Sequence, residues 1–96
     1  MAETHDIRLK RLKYRAWHRG FVEADLILGP FVDAYAADFT PAQLDELEHL
    51  FDQPDQDLYA WIVERTPTPP EFDGEMMSRI KVFRDQAHLR NGASNG

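Results

Sequence analysis

The sequence predicts an all-α fold, a compact bundle of five short helices joined by tight turns. Apolar residues recur at spacings of three and four along most of the chain, and no segment keeps the apolar–polar alternation that is typical of a strand. Breaks between the apolar stretches fall at glycine and at proline-containing clusters. A chain of 96 residues is expected to form one domain. We place it at residues 1–89 and predict a disordered tail over residues 90–96.

Two helices are predicted in the first part of the chain. The first covers residues 5–18 and ends at Gly20, since glycine follows many helices. Its apolar members are Ile7, Leu12, Tyr14, Ala16 and Trp17. The second covers residues 21–37, and Pro30 is expected to kink or split it because the proline ring clashes with the carbonyl four residues back. One face of this helix carries Leu28, Phe31, Val32 and Tyr35.

Thr40 begins a third helix, because Thr-Pro-Ala-Gln fits a capping box with proline at the first helical position. Its inward face is formed by Leu44, Leu47, Leu50 and Phe51. Asp52-Gln53-Pro54-Asp55 breaks this helix, and Asp55 is expected to cap a short fourth one. The inward residues of the fourth helix are Leu58, Trp61 and Ile62.

A proline-rich segment over residues 66–70 predicts a stiff, extended linker. A fifth helix follows at about residues 71–88. Its apolar positions are Phe72, Met76, Ile80 and Phe83. Trp61, Phe31 and Phe51 are assigned to the core, and one of the pair Met76-Met77 to the core and the other to the surface.

Composition excludes several classes of protein. The absence of cysteine excludes disulfides and thiolate chemistry. No apolar run approaches the roughly 18–20 residues of a membrane span, and the polar start has no signal-peptide character. We therefore expect a cytoplasmic protein with no membrane partner.

Charge is unevenly spread along the chain. Residues 1–20 carry six basic and two acidic residues, whereas residues 21–96 carry five basic and fifteen acidic residues. A basic first helix could pair with the acidic body or present one face to an anionic partner. Nucleic acid is a poor partner for the whole domain, which would need a broadly positive surface.

No pattern in the chain predicts a catalytic centre. The four histidines form no recognised metal motif, and Glu46 and His49 are interpreted as solvated surface residues. Ser78 and Ser94 lack an adjacent base, and no glycine-rich phosphate loop is present. We expect a protein that is not an enzyme, with no metal site and no cofactor site of its own.

Arg19-Gly20-Phe21-Val22-Glu23 is the most informative segment. Gly20 can turn the backbone at positive φ and leaves no side chain where a partner could approach closely. Opposite charges flank it at Arg19 and Glu23. The alternative is a glycine helix cap with two solvated charges. Trp17 lies beside this segment, either in the core or exposed at a contact surface, where Trp and Arg are enriched.

Two motifs together carry a family resemblance. The first is Tyr14-Arg15-x-Trp17-His18-Arg19-Gly20-x-x-Glu23-x-Asp25-Leu26-Ile27-Leu28, and the second is Leu50-Phe51 followed by Asp55-x-Asp57-Leu58-Tyr59-x-Trp61. With Phe31, Phe72 and Met76-x-x-x-Ile80, they resemble the SdhE family, the succinate dehydrogenase flavinylation factors, also called succinate dehydrogenase assembly factor 2. The resemblance covers about residues 8–83. Pro30 departs from it, since many members continue the helix there.

The resemblance implies a five-helix bundle that acts as a dedicated chaperone. Such proteins bind the flavoprotein subunit of succinate dehydrogenase, or of fumarate reductase, and promote covalent attachment of FAD to a histidine of that subunit. The FAD belongs to the partner. Carried over by position, the implied contact residues are Arg19, Gly20 and Glu23, with Asp25, Trp17 and His18 beside them. A monomer is expected.

Two other classes of function stay open at this point. One is a small nucleic-acid-binding helical protein that uses the basic first helix. The other is a protein inhibitor or antitoxin that blocks an enzyme through its acidic surface. Each class predicts a different binding partner, and a pull-down from host lysate would distinguish these partners.

Overall fold

The chain folds into five α-helices, which a computed structural model describes for the backbone of residues 4–95 and the side chains of residues 4–86. The helices are α1 His5–Trp17, α2 Val22–Tyr35, α3 Pro41–Phe51, α4 Asp55–Ile62 and α5 Glu75–Asn95. Short 3₁₀ turns follow α2 at Ala36–Asp38 and precede α5 at Pro70–Phe72. No strand is present in the described backbone, and the predicted all-α, five-helix fold is confirmed.

Helix α1 packs mainly against α2. Thr4 begins α1, because its hydroxyl accepts a hydrogen bond from the Ile7 N–H at 3.2 Å. Of the apolar residues predicted on this helix, only Leu12 and Ala16 are buried, whereas Ile7 and Tyr14 are more than half exposed. The inward stripe of α1 is therefore narrow, and much of its apolar surface faces outward.

Helix α2 continues through Pro30 as one element. The predicted split is therefore wrong, although a kink stays a prediction. Proline has no N–H to bond to the carbonyl of Leu26, so the helix lacks one backbone hydrogen bond at this point. Of the residues predicted to share one face, Leu28, Phe31 and Val32 are buried, whereas Tyr35 is 41% exposed.

The start of α3 is confirmed as a capping box. The Thr40 hydroxyl accepts from the Gln43 N–H at 3.2 Å, and the Gln43 side chain accepts from the Thr40 N–H at 2.9 Å. The predicted cap of α4 is wrong. Pro54 occupies the cap position and Asp55 is the first helical residue, with its carboxylate paired to Arg19 instead.

Helix α5 begins at Glu75, four residues later than predicted, because a side chain from α3 fixes its start. The Glu46 carboxylate accepts from the Met76 N–H at 2.7 Å, which satisfies a free amide at the α5 N-terminus. A Cβ at Gly74 would lie 2.8 Å from the Glu46 Oε2 atom. Glu46 is therefore a half-buried helix cap, and its interpretation as a solvated surface residue is wrong.

The α5 backbone is helical to Asn95, beyond the predicted end near residue 88. The predicted disorder of residues 90–96 stays a prediction, because the side chains from residue 87 on and the whole of Gly96 lie outside the described residues.

The core lies where the five helices meet, and it contains the predicted Phe31, Phe51 and Trp61. The Trp61 ring stacks on Phe72 with centroids 5.0 Å apart. Met76 and Met77 are both fully buried, so placing one of them on the surface is wrong. Their flexible side chains fill space that stiffer residues would leave empty.

Candidate functional site

The corner segment, residues 18–23, comprises the turn between α1 and α2 and the first two residues of α2, and it contains Gly20. Gly20 has a φ of +80° and is exposed. A Cβ built on it would have no atom within 4 Å. The glycine is therefore required by the backbone conformation and not by crowding within the chain, and it leaves an open approach to the backbone.

Arg19 points inward from this corner. Its guanidinium donates to the carbonyl of Phe51 and to the carbonyl of Gln53, both at 2.9 Å, and forms an ion pair with Asp55 at 2.7 Å. Only 5% of the side chain is exposed. Arg19 thus satisfies two carbonyls at the end of α3 and ties the corner segment to the turn between α3 and α4.

Burial shapes the electrostatics of Arg19. Loss of water lowers the pKa of its guanidinium, and the nearby charge of Asp55 opposes that effect. The group also lies over the Phe51 ring, 5.4 Å from the centroid. Its Nε atom is buried without a hydrogen-bond partner in the described part of the chain. The predicted contact of Arg19 with a partner stays a prediction, but the side chain supports the corner from within.

Asp25 shapes the same turn from α2. Its carboxylate accepts a hydrogen bond from the backbone N–H of Arg19 at 3.1 Å. Phe21 holds the cap position of α2 and supplies no side-chain hydrogen bond to the helix. Asp25 therefore bridges the corner segment and the first turn of α2, where a negative charge is also favoured by the helix dipole.

Glu23 faces solvent on the outer side of the corner. Its carboxylate forms no hydrogen bond or ion pair with residues 4–86. Its neighbours Val22 and Leu26 are 67% and 61% exposed, which is high for apolar side chains. An exposed carboxylate between two exposed apolar groups is a surface that a protein partner could cover.

His18 precedes Gly20 by two residues. Its Nδ1 atom is 2.8 Å from the carbonyl oxygen of Tyr14, and its ring stacks on the Tyr14 ring with centroids 4.2 Å apart. Both side chains are exposed. They form one wall of a cleft of about 310 Å³ lined by Tyr14, Arg15, His18, Arg19, Phe51, Gln53 and Asp55.

Trp17 is neither buried nor free. Its side chain is 37% exposed, and its indole N–H donates to Asp33 at 3.1 Å. The ring lies against Gly29 in α2. Sequence reasoning missed Gly29, although a glycine inside a helix, directly before proline, is an unusual choice that costs about 1 kcal/mol relative to alanine.

The basic face of α1 pairs with the acidic body. Arg8 forms ion pairs with Asp45 and, at 2.8 Å, with Glu48. Farther along, Arg15 pairs with Asp52 at 2.8 Å, in line with the Arg19–Asp55 pair. Of the two uses predicted for the basic helix, pairing with the body is confirmed. Hydrogen bonds to Glu48 and Asp45 raise the pKa of Arg8.

Histidine and acidic residues away from the corner segment were the other candidates for a chemical site. His49 is exposed, as its interpretation as a surface residue predicts, and its ring lies 5.0 Å from the Phe72 ring centroid. Among the described residues, no three acidic or histidine side chains are grouped to hold a metal ion. The described helices also include none that is both long and apolar enough to cross a bilayer.

Comparison with known proteins places the whole bundle in one family. Residues 10–84 match the family described as "Flavinator of succinate dehydrogenase". This range includes the corner segment and the core helices. The chain is 40% identical over 85 residues to the "FAD assembly factor SdhE" of Acetobacter pasteurianus, which covers 88% of this chain and 75% of the relative.

Two eukaryotic relatives agree with this match. The "Succinate dehydrogenase assembly factor 2, mitochondrial" of the yeast Scheffersomyces stipitis is 41% identical over 88% of this chain. The mitochondrial assembly factor 2-B of Drosophila melanogaster is 37% identical over 93% of it. The chain spans 58% of the yeast protein and 55% of the fly protein. It belongs to the family of succinate dehydrogenase flavinators, the same family that its two sequence motifs resemble.

Proposed function

We propose that this chain is an assembly factor that binds the flavoprotein subunit of succinate dehydrogenase and promotes covalent attachment of FAD to that subunit. The observation that carries the proposal is Gly20, exposed at a φ of +80° with no atom of the chain near the site of its missing side chain. Family membership supplies the partner, and the open corner supplies a surface for it.

In the proposed mechanism this chain binds the flavoprotein subunit and takes no part in forming the covalent bond. The flavin and a histidine of the partner react with each other. The assembly factor binds the partner conformation in which those two groups are held in position, and so raises the population of that conformation. FAD is attached to the partner, and this chain needs no cofactor of its own in the proposal.

Each residue of the corner has a separate part in this proposal. Gly20 lets the partner backbone come close, and Glu23 offers a charge for a hydrogen bond across the interface. Arg19 and Asp25 act from inside, because their polar groups hold the turn in shape. Trp17 and His18 flank the contact surface and add exposed ring area to it.

The nucleic-acid alternative is weakened by the ion pairs of α1. Arg8 and Arg15 of α1 are paired with Glu48 of α3 and with Asp52 just after it, and Arg19, two residues beyond α1, is paired with Asp55 of α4. Phosphate binding needs cations that face outward together. No feature of the described residues favours the inhibitor or antitoxin alternative over the assembly factor.

Compartment and partner range stay predictions. The names of the yeast and fly relatives place those proteins in mitochondria, and the name of the bacterial relative gives no compartment. We keep the cytoplasm as the proposed compartment, fumarate reductase as a second proposed partner, and a monomer as the proposed state.

Co-expression with the flavoprotein subunit tests the proposal, with covalent flavin scored by in-gel fluorescence. Gly20→Glu should lower covalent flavin about tenfold or more, equal to at least about 1.4 kcal/mol of lost interaction. Ala34→Glu is the matched control, since it adds the same charge at an exposed site on α2 away from the corner. Equal flavinylation with and without this chain would contradict the proposal.

Gly20→Asn separates docking from helix capping. Asparagine tolerates positive φ better than other residues with side chains, so the variant should fold. If open space at Gly20 serves the partner, flavinylation falls while the melting temperature stays near that of the wild type. Full flavinylation by Gly20→Asn would favour the capping interpretation.

A further inference from the structure

The indole of Trp17 occupies the place where a side chain at residue 29 would begin. A Cβ built on Gly29 would lie 2.3 Å from Cδ2 and 2.3 Å from Cε2 of Trp17, and 2.7 Å from Cε3. Cδ2 and Cε2 are the ring-fusion atoms and Cε3 is their neighbour in the six-membered ring, so none of them can move aside without moving the whole ring. Gly29 is buried in α2 and does not have a positive φ, so its glycine is required by this contact.

A hydrogen bond fixes the edge of the same ring. The Trp17 Nε1 atom donates to the Asp33 carboxylate at 3.1 Å. Asp33 is one helical turn beyond Gly29, on the same side of α2. The ring is therefore held at its face by Gly29 and at its edge by Asp33, an arrangement that we call the indole clasp.

The clasp acts on the last residue of α1. Trp17 ends that helix, and the corner segment follows at once. On the other side of His18, Arg19 is tied to the turn between α3 and α4 through the carbonyls of Phe51 and Gln53. The exposed Gly20 is thus presented by a chain segment whose preceding residues are anchored to two different parts of the bundle.

We propose that Gly29 and Asp33 are positioning residues that set the orientation of the corner segment through Trp17. The inference rests on the proposed function, because it gives Gly29 and Asp33 an indirect part in partner binding. The corner segment lies outside their own contacts. A corner that is already fixed loses little conformational freedom on binding, which favours affinity. Without the clasp, the segment would have to be ordered by the partner.

The test combines one readout on the free chain with one on the complex. Amide hydrogen exchange of residues 18–23 reports the order of the corner in the free chain. Affinity for the purified flavoprotein subunit reports docking. Gly29→Ala should speed exchange at residues 18–23 and weaken binding about tenfold. Ile80→Val, in the α5 core, is the matched control, since it lowers stability without touching the clasp and should leave both readouts unchanged.

Two further variants separate the clasp from a general loss of folding. Trp17→Ala removes the ring, so adding Gly29→Ala to it should change exchange and affinity less than about twofold. Asp33→Ala changes an exposed residue and removes only the indole hydrogen bond. It should fold, and it should speed exchange at residues 18–23 by a smaller factor than Gly29→Ala.

The outcomes distinguish this inference from the proposed function. If Gly29→Ala folds with wild-type exchange at residues 18–23 and wild-type affinity, the clasp does not position the corner. The same conclusion follows if Gly29→Ala has its full effect in the Trp17→Ala background. If the wild-type chain does not bind the flavoprotein subunit, the proposed function fails, and the exchange readout still decides whether the clasp orders the corner.

Discussion

Arg19 and Asp55 form an ion pair at 2.7 Å in which the arginine side chain is almost fully enclosed. The pair joins the corner segment to the first residue of α4 and is reinforced by two carbonyls of the preceding turn. Removing a buried charge that satisfies several acceptors is more damaging than removing a surface ion pair. This relationship gives Arg19 a structural role in the corner segment.

Arg19→Ala is expected to lower the free energy of unfolding by about 2–4 kcal/mol, because it leaves two carbonyls and a carboxylate without their donor. Asp55→Asn should have a smaller effect, about 1 kcal/mol, since Asp55 is 41% exposed and water can replace it. Urea denaturation of both variants measures these values. A loss below about 0.5 kcal/mol for Arg19→Ala would contradict the inward placement.

Arg15→Gln, one helical turn before Arg19 in the chain, serves as the contrast. The Arg15–Asp52 pair is more open to water than the Arg19–Asp55 pair, since the Arg15 side chain is 32% exposed and the Asp52 side chain 62%. Exposed ion pairs contribute little, so the free energy of unfolding should fall by less than about 1 kcal/mol. High salt should shrink this difference further by screening the charges. A loss as large as that of Arg19→Ala would mean that the ion pairs of α1 act as one network.

Glu46→Ala should destabilise the start of α5 by about 1 kcal/mol, because the Met76 amide loses its acceptor. Glu46→Gln keeps an acceptor oxygen at the same place, so it should destabilise the start of α5 less than Glu46→Ala does. Thermal unfolding gives the stability, and amide exchange at Met76 locates the effect. Unchanged exchange at Met76 in Glu46→Ala would show that the cap has no energetic role.

Met77→Ala and Met76→Ala are each expected to lower the free energy of unfolding by about 2–4 kcal/mol, since both side chains are fully buried. The same substitution of an exposed methionine would lower the free energy of unfolding by well under about 1 kcal/mol. Chemical denaturation of the two variants side by side provides the comparison. A near-neutral Met77→Ala would restore the sequence prediction that one of the pair is exposed.

Local signals were enough to predict the order of the helices and most of the core. The capping box at Thr40 and the apolar spacing of α3 and α4 depend only on residues within a few positions of each other. The two motifs also indicated the resemblance to the flavinylation factors, and the family match agrees with it.

The missed features all depend on contacts between distant parts of the chain. Glu46 sets the start of α5 across 30 positions, and Arg19 draws Asp55 away from capping α4. No local pattern reveals which way an arginine at a helix end will turn. Among the missed features, Gly29 alone had a signal in the sequence, because glycine directly before proline is unusual inside a predicted helix. Its structural explanation, the contact with the Trp17 ring, required the fold.

The account depends most on the corner segment meeting the flavoprotein subunit, and site-specific photo-crosslinking measures that contact directly. A benzoylphenylalanine replaces Val22 at the corner in one variant and Val82 on α5 in the other, both exposed valines in the structure. We expect the probe at position 22 to form a covalent adduct with the flavoprotein subunit and the probe at position 82 to form little or none. An adduct from position 82 alone, with position 22 silent, would contradict the account.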